Sequence, residues 1–259
     1  MTYQTIKLSL DNQVAYLTLA RPEALNAFNP TLMGELAEAL EAVAADESVK
    51  ALVIRGEGRA FCAGADLLHL EEVFDSPADL KAFLRRANDN FLRLEALPIP
   101  IVAVVHGYCL AGGLELVLAC DLVIAAEDAQ IGDQHANFGL MPGGGSTQRL
   151  PRKIGHQRAM ELILTGRRLT GVEAAQCGLA LRAVPPDQLD AALEALLAQL
   201  RVKSRTGMGW IKSAVNQGLD LPLRDGIALE IDSFVEYSTT SPHPKEGIQA
   251  FKDRRQPSF

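Results

Sequence analysis

The chain has 259 residues, 48% hydrophobic and 22% charged, with 25 Lys and Arg against 32 Asp and Glu. That length supports one large soluble domain, or a core with a smaller appendage, without disulfide or metal staples. The net charge of −7 argues against a general binder of nucleic acid or anionic membrane, while leaving room for one local basic patch. Cys62, Cys109, Cys120 and Cys177 show no CxxC or zinc-like spacing. They read as free thiols of a cytoplasmic protein. No secretory signal is expected at the start, and no apolar run reaches the ~18–20 residues of a membrane span.

Ile6–Leu10 and Val14–Leu19 alternate as strands, joined by the turn Asp11-Asn12-Gln13. Asn29-Pro30 is a cap followed by a first-turn proline, and Leu32, Leu36, Leu40 and Val43 share one face of a helix over Thr31–Ala45. Ala51–Ile54 is a buried strand, Gly56–Gly64 a loop, and a short helix begins near Ala65. Ser76-Pro77 opens a long helix, Ala78–Leu97, which Pro98-Ile99-Pro100 stops. The strand Ile101–His106, a central helix over Leu114–Cys120 and the strand Leu122–Ala126 follow. Alternating strands and helices predict an α/β fold with mostly parallel pairing. Beyond Gly155 the chain is helical except for an apolar segment at Leu179–Val184. Gly178 and Gly218 fit helix ends, and Ser241-Pro242 starts the last helix. No internal repeat, low-complexity tract or linker is visible.

The stretch His106–Asp121, HGYCLAGGLELVLACD, stands out. Gly112-Gly113 at a helix start leaves backbone N–H groups uncovered, a setting for an anion or a carbonyl oxygen gaining charge. Glu115 is a lone carboxyl in an apolar helix and needs a partner or a task; a tight turn with a solvated Glu is the plain alternative. Gly56–Asp66, GEGRAFCAGAD, is a second small-residue loop opening a helix, with N–H groups near Ala65 that could join those near Gly112. Two unrelated glycine turns would look the same.

PGGGSTQR, Pro142–Arg149, lacks the Gly-Lys-Ser/Thr ending of a phosphate loop, and Gln148 stands where a nucleophile elbow needs glycine. It reads as a turn before a helix. Dinucleotide binding has little support, for want of a G-x-G-x-x-G with an acid at the right distance. His106 and Asp133-Gln134-His135 do not assemble into a metal site. Lys245, Lys252, Arg254 and Arg255 on the last helix are a solvated face or, alternatively, a phosphate clamp.

Taken in order, a set of motifs resembles the enoyl-CoA hydratase/isomerase (crotonase) family. They are Ala24-Leu25-Asn26-Ala27, Ala60–Asp66, His106-Gly107-Tyr108, Gly112–Leu116, Ala119-Cys120-Asp121 and Gly139-Leu140. Pro142–Gly145, Thr147–Arg152 and Leu164-Thr165-Gly166 complete the series. The similarity runs from the first hairpin to the C-terminal RRQPSF. It implies a spiral of ββα turns over residues 1–200, and a helical region over 201–259 that mediates trimers, often paired as hexamers, and covers the site. It implies an acyl-CoA ligand, with coenzyme A part of the substrate and no cofactor bound permanently. The oxyanion hole carries over onto the N–H groups of Ala65 and Gly112. Coenzyme A is expected against the Cys62–Leu68 loop, through Ala63, Asp66, Leu67 and Leu68, with Arg21 and Lys252 of a neighbouring copy meeting phosphates.

In the family's hydratases two glutamates hold one water over the conjugated double bond. One falls here on Glu115; at the other position stands His135. Syn hydration needs a base to deprotonate water and an acid to protonate Cα, and Glu115 with His135 could still supply both. Alternatively His135 only lines the pocket and Glu115 acts alone, as in an isomerase. A third option pairs protonated His135 with a second carboxylate on the substrate, and Asn137 and Phe138 are candidates to shape the acyl pocket. The leading expectation is hydration of an enoyl-CoA, with a branched or carboxylated acyl group as one option. An enoyl-CoA isomerase and a non-catalytic acyl-CoA binder are the alternatives.

Overall fold

The computed structural model describes residues 3–259. A hairpin opens the chain: β1 (Ile6–Asp11) and β2 (Val14–Leu19) pair antiparallel. Helix α1 (Pro30–Ala45) follows, its first turn capped by the Asn29 side chain, which accepts from the Leu32 N–H at 2.9 Å. Its buried Leu32, Leu36, Leu40 and Val43 form the expected stripe. Then come β3 (Ala51–Gly56), β4 (Ala60–Cys62), α2 (Leu67–Val73) and α3 (Pro77–Ala96). Next are β5 (Ile101–Val105), β6 (Tyr108–Leu110) and α4 (Gly112–Leu118). After β7 (Leu122–Ala126) and β8 (Gln130–Gly132), a 3-10 turn at His135–Phe138 leads to α5 (Ser146–Ile154) and α6 (His156–Thr165). The chain finishes with β9 (Leu169–Thr170), α7 (Gly171–Gln176), β10 (Arg182–Val184), α8 (Leu189–Arg201), α9 (Arg205–Gly218), α10 (Leu223–Thr240) and α11 (His243–Lys252).

Two sheets result. The larger runs β1-β2-β3-β5-β7-β10, parallel beyond the first hairpin; the smaller runs β4-β6-β8-β9 and is antiparallel only at β8–β9. The pairs β3/β4, β5/β6 and β7/β8 each place one strand in either sheet before the chain turns helical, which is a ββα spiral. This structural repeat leaves no repeat in sequence. The small-sheet strands are two or three residues long, too short for a period to register. The Gly56–Gly64 loop therefore contains a strand, β4, and the turn after His106 contains β6. Of the apolar Leu179–Val184 segment, only Arg182–Val184 forms a strand, β10. β5 is buried along its whole length, as expected for a central parallel strand.

The main core gathers around α1, α3, α4 and the strands between them, with Phe61, Phe91, Leu36 and Ile101 fully covered. A second cluster lies where Leu193, Leu196 and Leu197 of α8 cover Val14, Val53, Val102 and Ile124. Among the described residues, no helix is long and apolar enough to cross a membrane.

Candidate active site

Helix α4 is buried on every side, so it can be apolar all round. Its entry is strained: Ala111 sits at φ 50°, ψ −117°, and no side chain caps the first turn. The first N–H groups, Gly112 among them, therefore lack intrahelical acceptors. A Cβ on Gly113 would come within 2.2 Å of the Cys62 carbonyl oxygen, so glycine is what allows α4 to press against β4.

Ala65 approaches from the other loop. The Phe28 N–H donates to the Gly64 carbonyl at 2.7 Å, and the Asp66 N–H to the Phe28 carbonyl at 2.9 Å. That parallel bridge uses the groups on either side of Ala65, which turns its own N–H the opposite way. Ala65 and Gly112 line one cavity of about 410 Å³, together with Glu115, His135 and an apolar wall that includes Phe74, Leu80, Phe83 and Phe91. Backbone from two separate loops thus reaches one cavity, an arrangement that can receive an oxygen gaining negative charge.

Glu115, three residues beyond Gly112, faces the same cavity and is only 4% exposed. Its Oε1 accepts the Gly144 N–H at 2.7 Å and the Ser146 N–H at 3.1 Å. Burial raises the pKa of this carboxyl; the Ser146 N–H, the His135 charge and the Gly144 N–H oppose that rise without cancelling it. The Pro142–Gly145 loop and the first residue of α5 are thus a cradle for Glu115, a role their sequence did not disclose. The loop is itself held by Asn88 of α3, which donates to the Gly143 carbonyl at 2.9 Å, and by Arg149, which donates to the Gly144 carbonyl at 3.0 Å. Arg149 is in turn forked onto Glu95 at 2.6 and 3.0 Å.

His135 begins the 3-10 turn after β8, and its side chain is 15% exposed. Asp133 is fully buried, and its Oδ1 accepts both the His135 backbone N–H at 3.2 Å and the imidazole Nδ1 at 2.8 Å. An ionised carboxylate can only accept, so Nδ1 carries the proton and Nε2 remains for the cavity. Burial pulls the imidazole pKa down, but the Asp133 hydrogen bond and charge, with the Glu115 charge, outweigh it and leave it raised. Sequence reasoning placed Asp133 in this loop without seeing that it holds His135; the two-residue spacing was the available signal. Asn137 and Phe138 do not line the cavity: Asn137 donates to Gln134 and to the Gly166 carbonyl, and Phe138 is exposed. Leu140–Gly144 form that wall instead.

The other expected ligand-binding residues, Lys252 apart, gather around the loop that leads into α2. Arg21 pairs with Asp66 at 2.9 Å and donates to the Ala27 carbonyl, while Asp66 caps α2 by accepting the Leu68 N–H at 3.2 Å. Both charges therefore pin the loop that carries Ala63 and Ala65. Leu67 and Leu68 are exposed on α2, and Lys252 is exposed on α11, away from its own chain's cavity. Among the described residues no group of three or more His, Cys, Asp or Glu is placed to hold a metal ion.

Fold and site together define an α/β enzyme of the ββα-spiral type, with two backbone amides and a buried glutamate around an apolar cavity. Residues 9–259 match the model of the family described as enoyl-CoA hydratase/isomerase. A probable enoyl-CoA hydratase of Mycobacterium tuberculosis is 37% identical over 100% of this chain and 99% of its own. The 2,3-dehydroadipyl-CoA hydratase of Escherichia coli is 38% identical over 97% of each. The crystal structure of an enoyl-CoA hydratase from Bacillus anthracis superposes with a TM-score of 0.94 at 32% identity, covering 99% of each chain. This chain belongs to the enoyl-CoA hydratase/isomerase family, and is a hydratase-like lyase within it.

Proposed function

We propose that the enzyme hydrates an α,β-unsaturated acyl-CoA whose acyl group is a hydrocarbon. The single observation that carries this reading is the placement of Glu115 and His135 on one cavity with Ala65 and Gly112. Glu115 Oε1 is taken by two amides, which leaves Oε2 to hold and deprotonate water. Each group's charge favours the charged form of the other, which supports Glu115 as the anionic base and His135 as the cationic acid. The water oxygen bonds to Cβ, and its proton passes to Glu115. The π electrons move onto the thioester oxygen, where the Ala65 and Gly112 N–H groups meet the developing charge. The enolate then collapses, and Cα takes a proton from His135 Nε2. Return of the Glu115 proton to His135 resets the site, and one water has been added.

The cavity wall favours a hydrocarbon acyl group. No Lys or Arg is among its lining residues, and its one cationic group, His135, is used as the proton donor, so the distal carboxylate of a dehydroadipyl group, the substrate in the Escherichia coli relative's name, would be buried without a cation of its own. Coenzyme A enters as part of the substrate, with the Ala63–Leu68 loop and Arg21 as its expected contacts and no resident cofactor in the scheme. A homotrimer or hexamer built through residues 201–259 is supported by apolar side chains left bare on α10 and α11, such as Leu223 (81% exposed) and Phe251 (85%). It would bring Lys252 of one copy to the site of another. A cytoplasmic setting is supported by four free thiols.

The test is turnover of crotonyl- and 2-octenoyl-CoA in heavy-oxygen water, with E115Q beside the wild type. Label in the 3-hydroxyacyl product, lost in E115Q while CoA-ester binding persists, is the expected result. Migration of a 3-enoyl double bond without label would instead make the enzyme an isomerase. Binding of acyl-CoA esters with no turnover of any would make it a binder.

A further inference from the structure

We propose that Asp133 is a positioning residue for this reaction: its buried carboxylate holds His135 in one tautomer and keeps it a proton donor toward the cavity. The inference rests on the roles of Glu115 and His135 given above. Asp133 lies two residues before His135, directly after β8, and one oxygen binds both the backbone and the ring of that residue. Its other oxygen, Oδ2, is buried and accepts no hydrogen bond among the described residues. A buried, half-satisfied carboxylate is costly. Capping a turn does not require a negative charge there, since a neutral Asn or Ser could accept the same backbone N–H. What the charge adds is its effect on the ring.

The charged groups that act on the imidazole are Asp133 from its own loop and Glu115 from α4. Glu115 holds a proton acceptor at the cavity but does not touch Nδ1. Only Asp133 fixes which nitrogen faces the substrate. An Asp–His pair thus does the work of one acidic side chain, with the proton leaving from Nε2 and the carboxylate stabilising the imidazolium until it does.

The experiment measures kcat and KM for crotonyl-CoA against pH for the wild type, D133N, H135E and D133N/H135E. In the wild-type background, D133N should lower kcat by at least ~10-fold with KM little changed. It should also move the alkaline limb of kcat down by about one pH unit, because the imidazolium is no longer held. In the H135E background the same change should no longer lower kcat, since a carboxylate beside a second carboxylate gives no such support. An equal loss in both backgrounds, with the alkaline limb unmoved, would make Asp133 a turn residue and overturn the proposal. Nitrogen-15 NMR of the wild-type imidazole supplies a check that needs no folded variant and no turnover. At a pH above the alkaline limb, where the imidazolium has lost its Nε2 proton, a neutral ring protonated at Nδ1 is expected; a neutral ring protonated at Nε2 instead would refute the positioning role. If wild-type protein fails to hydrate any enoyl-CoA, the functional reading falls, while the NMR result still decides what Asp133 does to His135.

Discussion

Gly144→Ala isolates the placement of Glu115 from its chemistry. A Cβ built on Gly144 would lie 2.3 Å from Glu115 Oε2 and 2.7 Å from its Cδ, where real Cβ contacts essentially never fall under 3.0 Å. The carboxylate must therefore retreat by about 0.7 Å or more, which displaces Oε2, the oxygen proposed to hold the water. It must do so while the Gly144 and Ser146 amides still hold the other oxygen. Misplacing a reacting group by about 1 Å costs on the order of 10²-fold in rate. A loss of about 30- to 100-fold in kcat/KM follows, or roughly 2–2.7 kcal/mol of transition-state stabilisation. The fold should tolerate the change, because the three atoms nearest that Cβ all belong to Glu115. Steady-state hydration of crotonyl-CoA gives the rate, isothermal titration with a saturated acyl-CoA gives affinity, and thermal unfolding checks integrity. Wild-type-like kcat/KM in a folded G144A protein would refute the claim that this loop positions the base.

Two further outcomes test other parts of the argument. Asn26 is fully buried at φ 58°; its amide donates to the carbonyls of Glu57, Ala60 and Phe61 at 2.9, 2.8 and 3.2 Å, and its Oδ1 accepts the Arg21 N–H at 2.9 Å. N26A should cost about 3–5 kcal/mol in urea unfolding, from orphaned carbonyls and a left-handed backbone that alanine disfavours; a loss under about 1 kcal/mol would contradict that accounting. Glu115, whose folded pKa is raised by burial, binds more protons folded than unfolded, so it lowers stability as pH rises from about 4.3 through its folded pKa. E115Q should therefore be more thermostable than the wild type at pH 7, by about 2–4 °C if the gain is on the order of 1 kcal/mol. The gain should vanish at pH 4; equal melting temperatures at both pH values would contradict the burial cost.

Much of this protein is written locally. Asn29-Pro30 and Ser76-Pro77 start α1 and α3 where expected, because a cap and a first-turn proline act within three residues. The alternating hairpin and the long apolar strands β5 and β7 follow from period and β-branching. The ordered motifs carried the family, and with it Glu115. What the chain order could not display is any relation made by folding. Strands β4, β6, β8 and β9 exist only as partners of one another, so two or three residues in a row carry no sign of them. Glu115 meets the amides of Gly144 and Ser146 across 29 and 31 residues, and backbone donors leave no mark in side-chain identity. The resemblance carried by the sequence motifs implies that His135 stands where the hydratases have a glutamate. Only the tertiary structure put Asp133 behind it and Glu115 before it, because burial and Coulomb interaction act through space and set what that imidazole can do.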